Sequence, residues 1–211
     1  MNKTNISPLM TEKRTEGENI TSPSISLTEG AKYNFTAQRE DYLTPREFCL
    51  KVLKANDLAY FDCDVCCSQF NIPAIIYYRK DGAFALNKKI GDEDGLNGIW
   101  YAHNWCNPPF SKCEQFIKKA VLEQWLGKTT YMLIPARTET AYWQNYILLN
   151  GKANRPNIEV EFLKKGLCFL DPDSGKPIQM KIKQKDGSYK FVDGVYKNPL
   201  ALITFRGVEN A

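Results

Sequence analysis

At 211 residues, with 43% hydrophobic, 12% aromatic and 25% charged side chains, the chain has an ordinary globular composition that excludes collagen-like, coiled-coil and wholly disordered classes. A chain of this length buries about 70% of its unfolded surface and needs neither disulfide nor metal to fold. Its 28 basic and 24 acidic residues leave a formal net charge of +4, too mild to mark a nucleic-acid binder by itself.

No window approaches 18 uninterrupted apolar residues, and the first residues, Met1 to Asn5, lead into polar sequence rather than an apolar run. These features predict a cytoplasmic protein with no membrane partner. Seven cysteines, two of them adjacent, read as thiols of a reducing compartment rather than as a disulfide framework. Residues 1 to about 30 are rich in Ser, Thr, Asn and Glu without helical or strand periodicity, which predicts a disordered tail.

Beyond the tail, Thr44-Pro45-Arg46-Glu47 reads as a helix start, with Thr44 as N-cap, Pro45 at the first helical position and Glu47 completing a capping box. Its apolar face is Phe48, Cys49, Val52 and Leu53. Leu58 to Val65 reads as a buried strand ending in two carboxylates, Asp62 and Asp64. A turn over Cys66–Asn71, a loop or short helix through Ile75–Tyr78 and a polar stretch from Arg79 to Gly98 follow.

Gly98 to Cys106 reads as a second strand, stopped by Asn107-Pro108-Pro109-Phe110 because two prolines cannot continue a central strand. Ser111 then caps a helix carrying Phe116, Ile117, Ala120, Val121 and Leu122. A strand over Thr129–Ile134, a helix from Ala141 to Leu149, a strand over Glu159–Leu163 and a last one over Leu200–Phe205 complete the pattern. Strands alternating with helices predict an α/β fold with a mostly parallel central sheet flanked by helices. Between Lys164 and Lys190, seven lysines face three acids, which fits a phosphate-facing patch or a solvated hairpin.

Asn107 to Phe110 carries the most chemistry. An exocyclic adenine amine is a poor nucleophile because its lone pair is delocalised into the ring. A carboxamide oxygen and a backbone carbonyl, supplied by Asn107 and Pro108, can accept its two N–H groups and draw it toward a nucleophilic geometry. Phe110 offers a face on which an extruded base can stack, and the prolines make the loop rigid. Asp62 and Asp64 suit a cationic donor such as S-adenosylmethionine, or cap the turn that follows them. Cys63 and Cys66 form a C-x-x-C, but the six residues between Cys106 and Cys113 make a poor second knuckle, so no metal is expected. His103, the one histidine, is expected to pack in its strand.

The order of these motifs resembles the phage-type DNA N-6-adenine methyltransferase family from about residue 41 to 205. The resemblance rests on Tyr42-Leu43-Thr44-Pro45, Phe61-Asp62-Cys63-Asp64-Val65-Cys66, Asp94-Gly95-Leu96 before Trp100, Asn107 to Ser111, Leu133 to Thr140 with Trp143, and Pro199 to Ile203. It implies a Rossmann-like class I methyltransferase domain over residues 31–211, with S-adenosylmethionine as methyl donor and double-stranded DNA as substrate.

The same resemblance implies Thr44, Pro45, Asp62, Asp64 and Asp94 as donor-site residues, and Asn107, Pro108, Pro109 and Phe110 as the catalytic loop. Residues about 171–195 then stand out as a Lys-rich insertion turning at Lys185-Asp186-Gly187-Ser188. Lys181, Lys183, Lys185 and Lys190 are its candidate DNA contacts, and Arg137 is a candidate near the target base. RNA adenine or a protein amide as substrate, or a catalytically silent nucleic-acid-binding module, remain alternative readings.

Overall fold

The computed structural model describes residues 40–208; the tail expected over residues 1–30 lies outside them. The chain runs through α1 (Arg46–Ala55), β1 (Phe61–Asp64), β2 (Ala74–Arg79), β3 (Gly82–Ala85), β4 (Lys88–Gly91) and β5 (His103–Cys106). A single 3₁₀ turn (Phe110–Lys112) leads into α2 (Cys113–Trp125) and β6 (Thr129–Pro135). A π-helical turn (Trp143–Ile147) precedes β7 (Leu148–Leu149), β8 (Ala153–Asn154) and β9 (Ile158–Phe162). The hairpin β10 (Gln179–Lys183) and β11 (Tyr189–Asp193) precedes the last strand, β12 (Leu200–Phe205).

Eight strands form one sheet in the order β4-β3-β2-β1-β5-β6-β12-β9. The four central strands, β2, β1, β5 and β6, pair in parallel. Both flanks pair antiparallel, through β3 and β4 on one side and β12 and β9 on the other. Counted by direction, only β3 and β12 run against the rest. The expected mostly parallel sheet is therefore present, with an antiparallel finish at each edge.

Alternation along the strands sends side chains to two cores. Trp105, Tyr131, Leu133, Leu200 and Leu202 pack with Cys49, Val52 and Leu53 of α1. Cys106, Met132, Ile134, Ala201 and Ile203 pack with Phe116, Ile117 and Ala120 of α2. One helix thus covers each face, the three-layer arrangement of an α/β domain.

Local details depart from the sequence reading. Helix α1 starts at Arg46 with Pro45 as N-cap and no side-chain cap, so the capping box of Thr44 and Glu47 does not form. The Ile75–Tyr78 run is not a loop or helix but the centre of β2, and β3 and β4 form a meander within the polar stretch from Arg79 to Gly98. Ser111 does not cap α2; its N–H and hydroxyl donate to the Glu40 carboxylate. The helix expected from Ala141 to Leu149 stops at Ile147, because Asn150 and Gly151, both at positive φ, turn β7 back onto β8.

Candidate active site

The chain leaves β1 toward β2 on one side, then returns to place β5 on the other side of β1. Such a reversal opens a crevice at the carboxyl ends of the strands, where open α/β sheets take their ligands. A cleft of about 370 Å³ lies there, within the usual range for a small-molecule site. Its walls come from the ends of β1 (Val65 to Ser68), β2 (Tyr78 to Lys80) and β5 (Asn107, Pro109), from the loop Asp94-Gly95-Leu96, and from Glu40, Asp41, Tyr42, Lys112 and Phe116.

Asn107 is fixed by its amide nitrogen, which donates to the Tyr42 carbonyl oxygen at 3.1 Å. A carbonyl oxygen only accepts, so the orientation of the amide is set, and Oδ1 remains the acceptor for a ligand. Pro108 is buried behind it and Pro109 lines the cleft. Phe110 begins the 3₁₀ turn, and its ring meets Tyr196 edge-on at 5.6 Å and Phe169 at 6.5 Å.

A hollow of about 10 Å³ that shares Tyr42, Cys66, Ser68 and Asn107 with the cleft is also lined by Thr44 and Asp64, and its volume is about what admits one water. Thr44 Oγ1 is buried there without a hydrogen-bond partner among the described residues. Asp64 is 3% exposed and accepts from the Cys66 N–H at 3.2 Å. Burial pushes its carboxyl up to about 7, against the lowering effect of that hydrogen bond. Asp94 organises its own loop, accepting at Oδ1 from the N–H groups of Leu96 and Asn97, both at 3.0 Å.

Two cysteines line the main cleft. Burial pushes the thiols of Cys66 and Cys67 well above their ordinary values, so both stay protonated at neutral pH. A neutral thiol is a poor nucleophile and would not compete for an electrophilic ligand group.

The remaining expected residues lie elsewhere. Asp62 is not brought to the cleft: its Oδ2 accepts from the His103 backbone N–H at 2.8 Å and lies 3.4 Å from His103 Nδ1. Pro45 serves as the N-cap of α1 and does not line the cleft. Arg137 is exposed beyond the end of β6. Lys181, Lys183 and Lys190 are exposed on the β10–β11 hairpin, with Lys185 in its turn.

Sequence reading missed Glu40, Asp41, Lys80 and Lys112, which carry no pattern of their own. It also passed over Tyr42 and Gly95 as site residues, although both stand inside the quoted motifs. At Gly95 a Cβ would sit 1.7 Å from the Val65 carbonyl oxygen, so the loop's approach to the end of β1 requires glycine.

The cleft carries both signs of charge, with Glu40, Asp41 and Asp94 against Arg79, Lys80 and Lys112. Of these, Arg79 is engaged with Asp81 at 3.1 Å. An acceptor amide, an orphaned hydroxyl and charges of both signs together fit a polar, zwitterionic ligand. Among the described residues, no group of three or more His, Cys, Asp and Glu could hold a metal ion, and no helix is long and apolar enough to cross a membrane. A family model described as DNA N-6-adenine-methyltransferase (Dam) matches residues 34–209. No curated protein and no solved structure matches the chain.

Proposed function

The chain belongs to the DNA N-6-adenine-methyltransferase family, and from that premise we propose that it methylates the N6 amine of adenine in double-stranded DNA, with the target base rotated into the cleft. The methyl donor in this reading is S-adenosylmethionine, which when bound supplies an electrophilic methyl on a sulfonium sulfur. The observation that carries the reading is the Asn107–Tyr42 hydrogen bond, because it leaves the amide oxygen to accept from an amine.

Asn107 Oδ1 and the Pro108 carbonyl accept the two N6 hydrogens, so the amine lone pair is withdrawn from the ring and becomes available for the new N–C bond. A bound donor would give up its methyl and keep the electron pair of the broken methyl–sulfur bond, and one N6 proton passes to water. Phe110 supports the base from the edge of the loop. Asp64, Asp94 and the Thr44 hydroxyl receive the donor's polar and cationic groups, and Lys80 and Lys112, which line the cleft, meet its carboxylate. Neutral Cys66 and Cys67 leave the methyl for the base. The basic hairpin β10–β11 and Arg137 meet the duplex.

The test is transfer of labelled methyl from S-adenosylmethionine to unmethylated duplex, read as N6-methyladenine by mass spectrometry of the nucleosides. RNA and a protein carrying exposed amides serve as competing substrates. Label in RNA or protein alone overturns the duplex reading, and donor binding absent by calorimetry overturns the enzyme reading.

A further inference from the structure

Two arms reach the catalytic loop from outside it, and both lead to one short segment, Leu167–Leu170. On the first arm, Leu43 and Leu170 exchange backbone hydrogen bonds at 3.0 and 2.9 Å. That pairing fixes the backbone beside Tyr42, whose carbonyl oxygen orients Asn107. On the second arm, Phe169 is buried, and its ring lies 6.5 Å from Phe110 and 5.7 Å from Tyr196, which itself lies 5.6 Å from Phe110. The three rings close an edge-to-face triangle around the side chain that ends the Asn-Pro-Pro-Phe loop.

The same segment holds the root of the β10–β11 hairpin. The Ile178 N–H donates to the Phe169 carbonyl oxygen at 3.0 Å, one residue before β10. After β11, the Tyr196 N–H donates to the Leu167 carbonyl oxygen at 2.9 Å. Beyond its root, the hairpin forms its own two-stranded sheet.

We propose that Leu167–Leu170, with Tyr196, is a positioning strap that aligns Asn107 and Phe110 together and transmits the seating of the hairpin on duplex to that alignment. Tyr196 and Phe169 are positioning residues in this account. Interlocking rings resist small displacements, and an error of about 1 Å in a reacting group can cost on the order of a hundredfold in rate. The inference rests on the reading of Asn107 and Phe110 as the catalytic loop and of the hairpin as a duplex contact.

Tyr196 is only half-buried and is the natural site for a test. Tyr196→Ala should lower kcat on duplex roughly tenfold or more, while the Kd values for S-adenosylmethionine and duplex change by less than about twofold. Tyr196→Phe keeps the ring and should restore kcat. If the alanine variant is poorly folded, Tyr196→Leu carries the same comparison. A folded variant lacking the ring with wild-type kcat, or a Phe variant as slow as Ala, overturns the positioning role.

Coupling to the hairpin is read by replacing residues 180–192 with an Asn-Gly turn in the full chain. At saturating duplex this shortened hairpin should lower kcat as well as raise KM; a change in KM alone overturns the coupling. A wild-type control that methylates no adenine at all overturns the functional reading itself, and the proposal with it.

Discussion

Asn107 and Tyr42, 65 residues apart, are joined by a hydrogen bond from the side-chain amide nitrogen to the backbone carbonyl oxygen at 3.1 Å. Because the bond is made to backbone, replacing the Tyr42 side chain leaves it intact, and the amide direction is a property of the fold. Asn107→Ala removes the acceptor oxygen together with the hydrogen bond to the Tyr42 carbonyl. Methyl transfer should fall on the order of a hundredfold or more, with donor affinity nearly unchanged by calorimetry. Near-normal turnover would remove Asn107 from the chemistry.

The elements that frame this site were legible where one strong signal dominated. The double proline after Cys106 ended β5 as expected, and the continuous apolar run Tyr131–Ile134 identified a fully buried strand. Ile75–Tyr78 misled because a short apolar run has no period to separate strand from helix. A signal was nevertheless present, since Asp81-Gly82, at the junction of the β2–β3 loop with β3, is a turn-prone dipeptide, and Asn150-Gly151 stands between β7 and β8. The Thr44 hydroxyl illustrates the opposite limit. Cap and ligand-facing hydroxyl have the same residue type, and only the buried position without a partner separates them. Asp62 and Asp64 were likewise indistinguishable until the start of β5 claimed the first.

Asp64 makes the protein's stability depend on pH. Its carboxyl is pushed up to about 7 by burial, above its value of about 3.9 in an unfolded chain. Between those values the folded state holds a proton that the unfolded state has lost. Stability should fall as pH rises from about 4 to about 7, by on the order of 4 kcal/mol in total, and level off above. Asp64→Asn should flatten that fall in urea titrations at pH 4.5 and 8, and an unaltered slope would assign the dependence to other groups. The free protein should also bind the cationic donor more weakly below about pH 7, and Asp64→Ala should weaken binding in a folded protein. Donor affinity indifferent to both would leave Asp64 as a turn-capping group.

Gly95 holds the Asp94 loop against the end of β1. Beyond the 1.7 Å clash with the Val65 carbonyl oxygen, a Cβ would lie 2.8 Å from its carbonyl carbon. Both atoms belong to the backbone and cannot rotate away. The loop is also pinned by the Trp100 indole, which donates to the Gly95 carbonyl oxygen at 2.7 Å. Gly95→Ala should cost about 1–3 kcal/mol of stability, the usual range for forced overpacking. It should also lower donor affinity roughly tenfold, equivalent to about 1.4 kcal/mol. Wild-type values for both in thermal melts and calorimetry would show that the loop has room to move.

The hairpin lysines do not form one row. Residues opposite each other in an antiparallel pair share a face, so Lys181 with Phe191 and Lys183 with Tyr189 lie on one side, and Lys190 with Ile182 on the other. The first side is both basic and aromatic, with Lys181 Nζ 4.0 Å from the Tyr189 ring centre and Phe191 60% exposed. A two-stranded ribbon of this kind fits the width of a major groove, and only one of its faces can meet a given run of phosphates. Replacing Lys181 and Lys183 by Gln should therefore weaken duplex binding for all sequences and reduce the salt slope by roughly 0.9 for each phosphate that is no longer neutralised. Lys190→Gln should have a smaller effect. Sequence preference should survive, because lysine–phosphate pairing positions the duplex without reading it. Binding measured from low to moderate salt separates the outcomes: an unchanged slope in the double variant would leave the hairpin as a solvated surface, and a larger change from Lys190→Gln would turn the opposite face to the DNA.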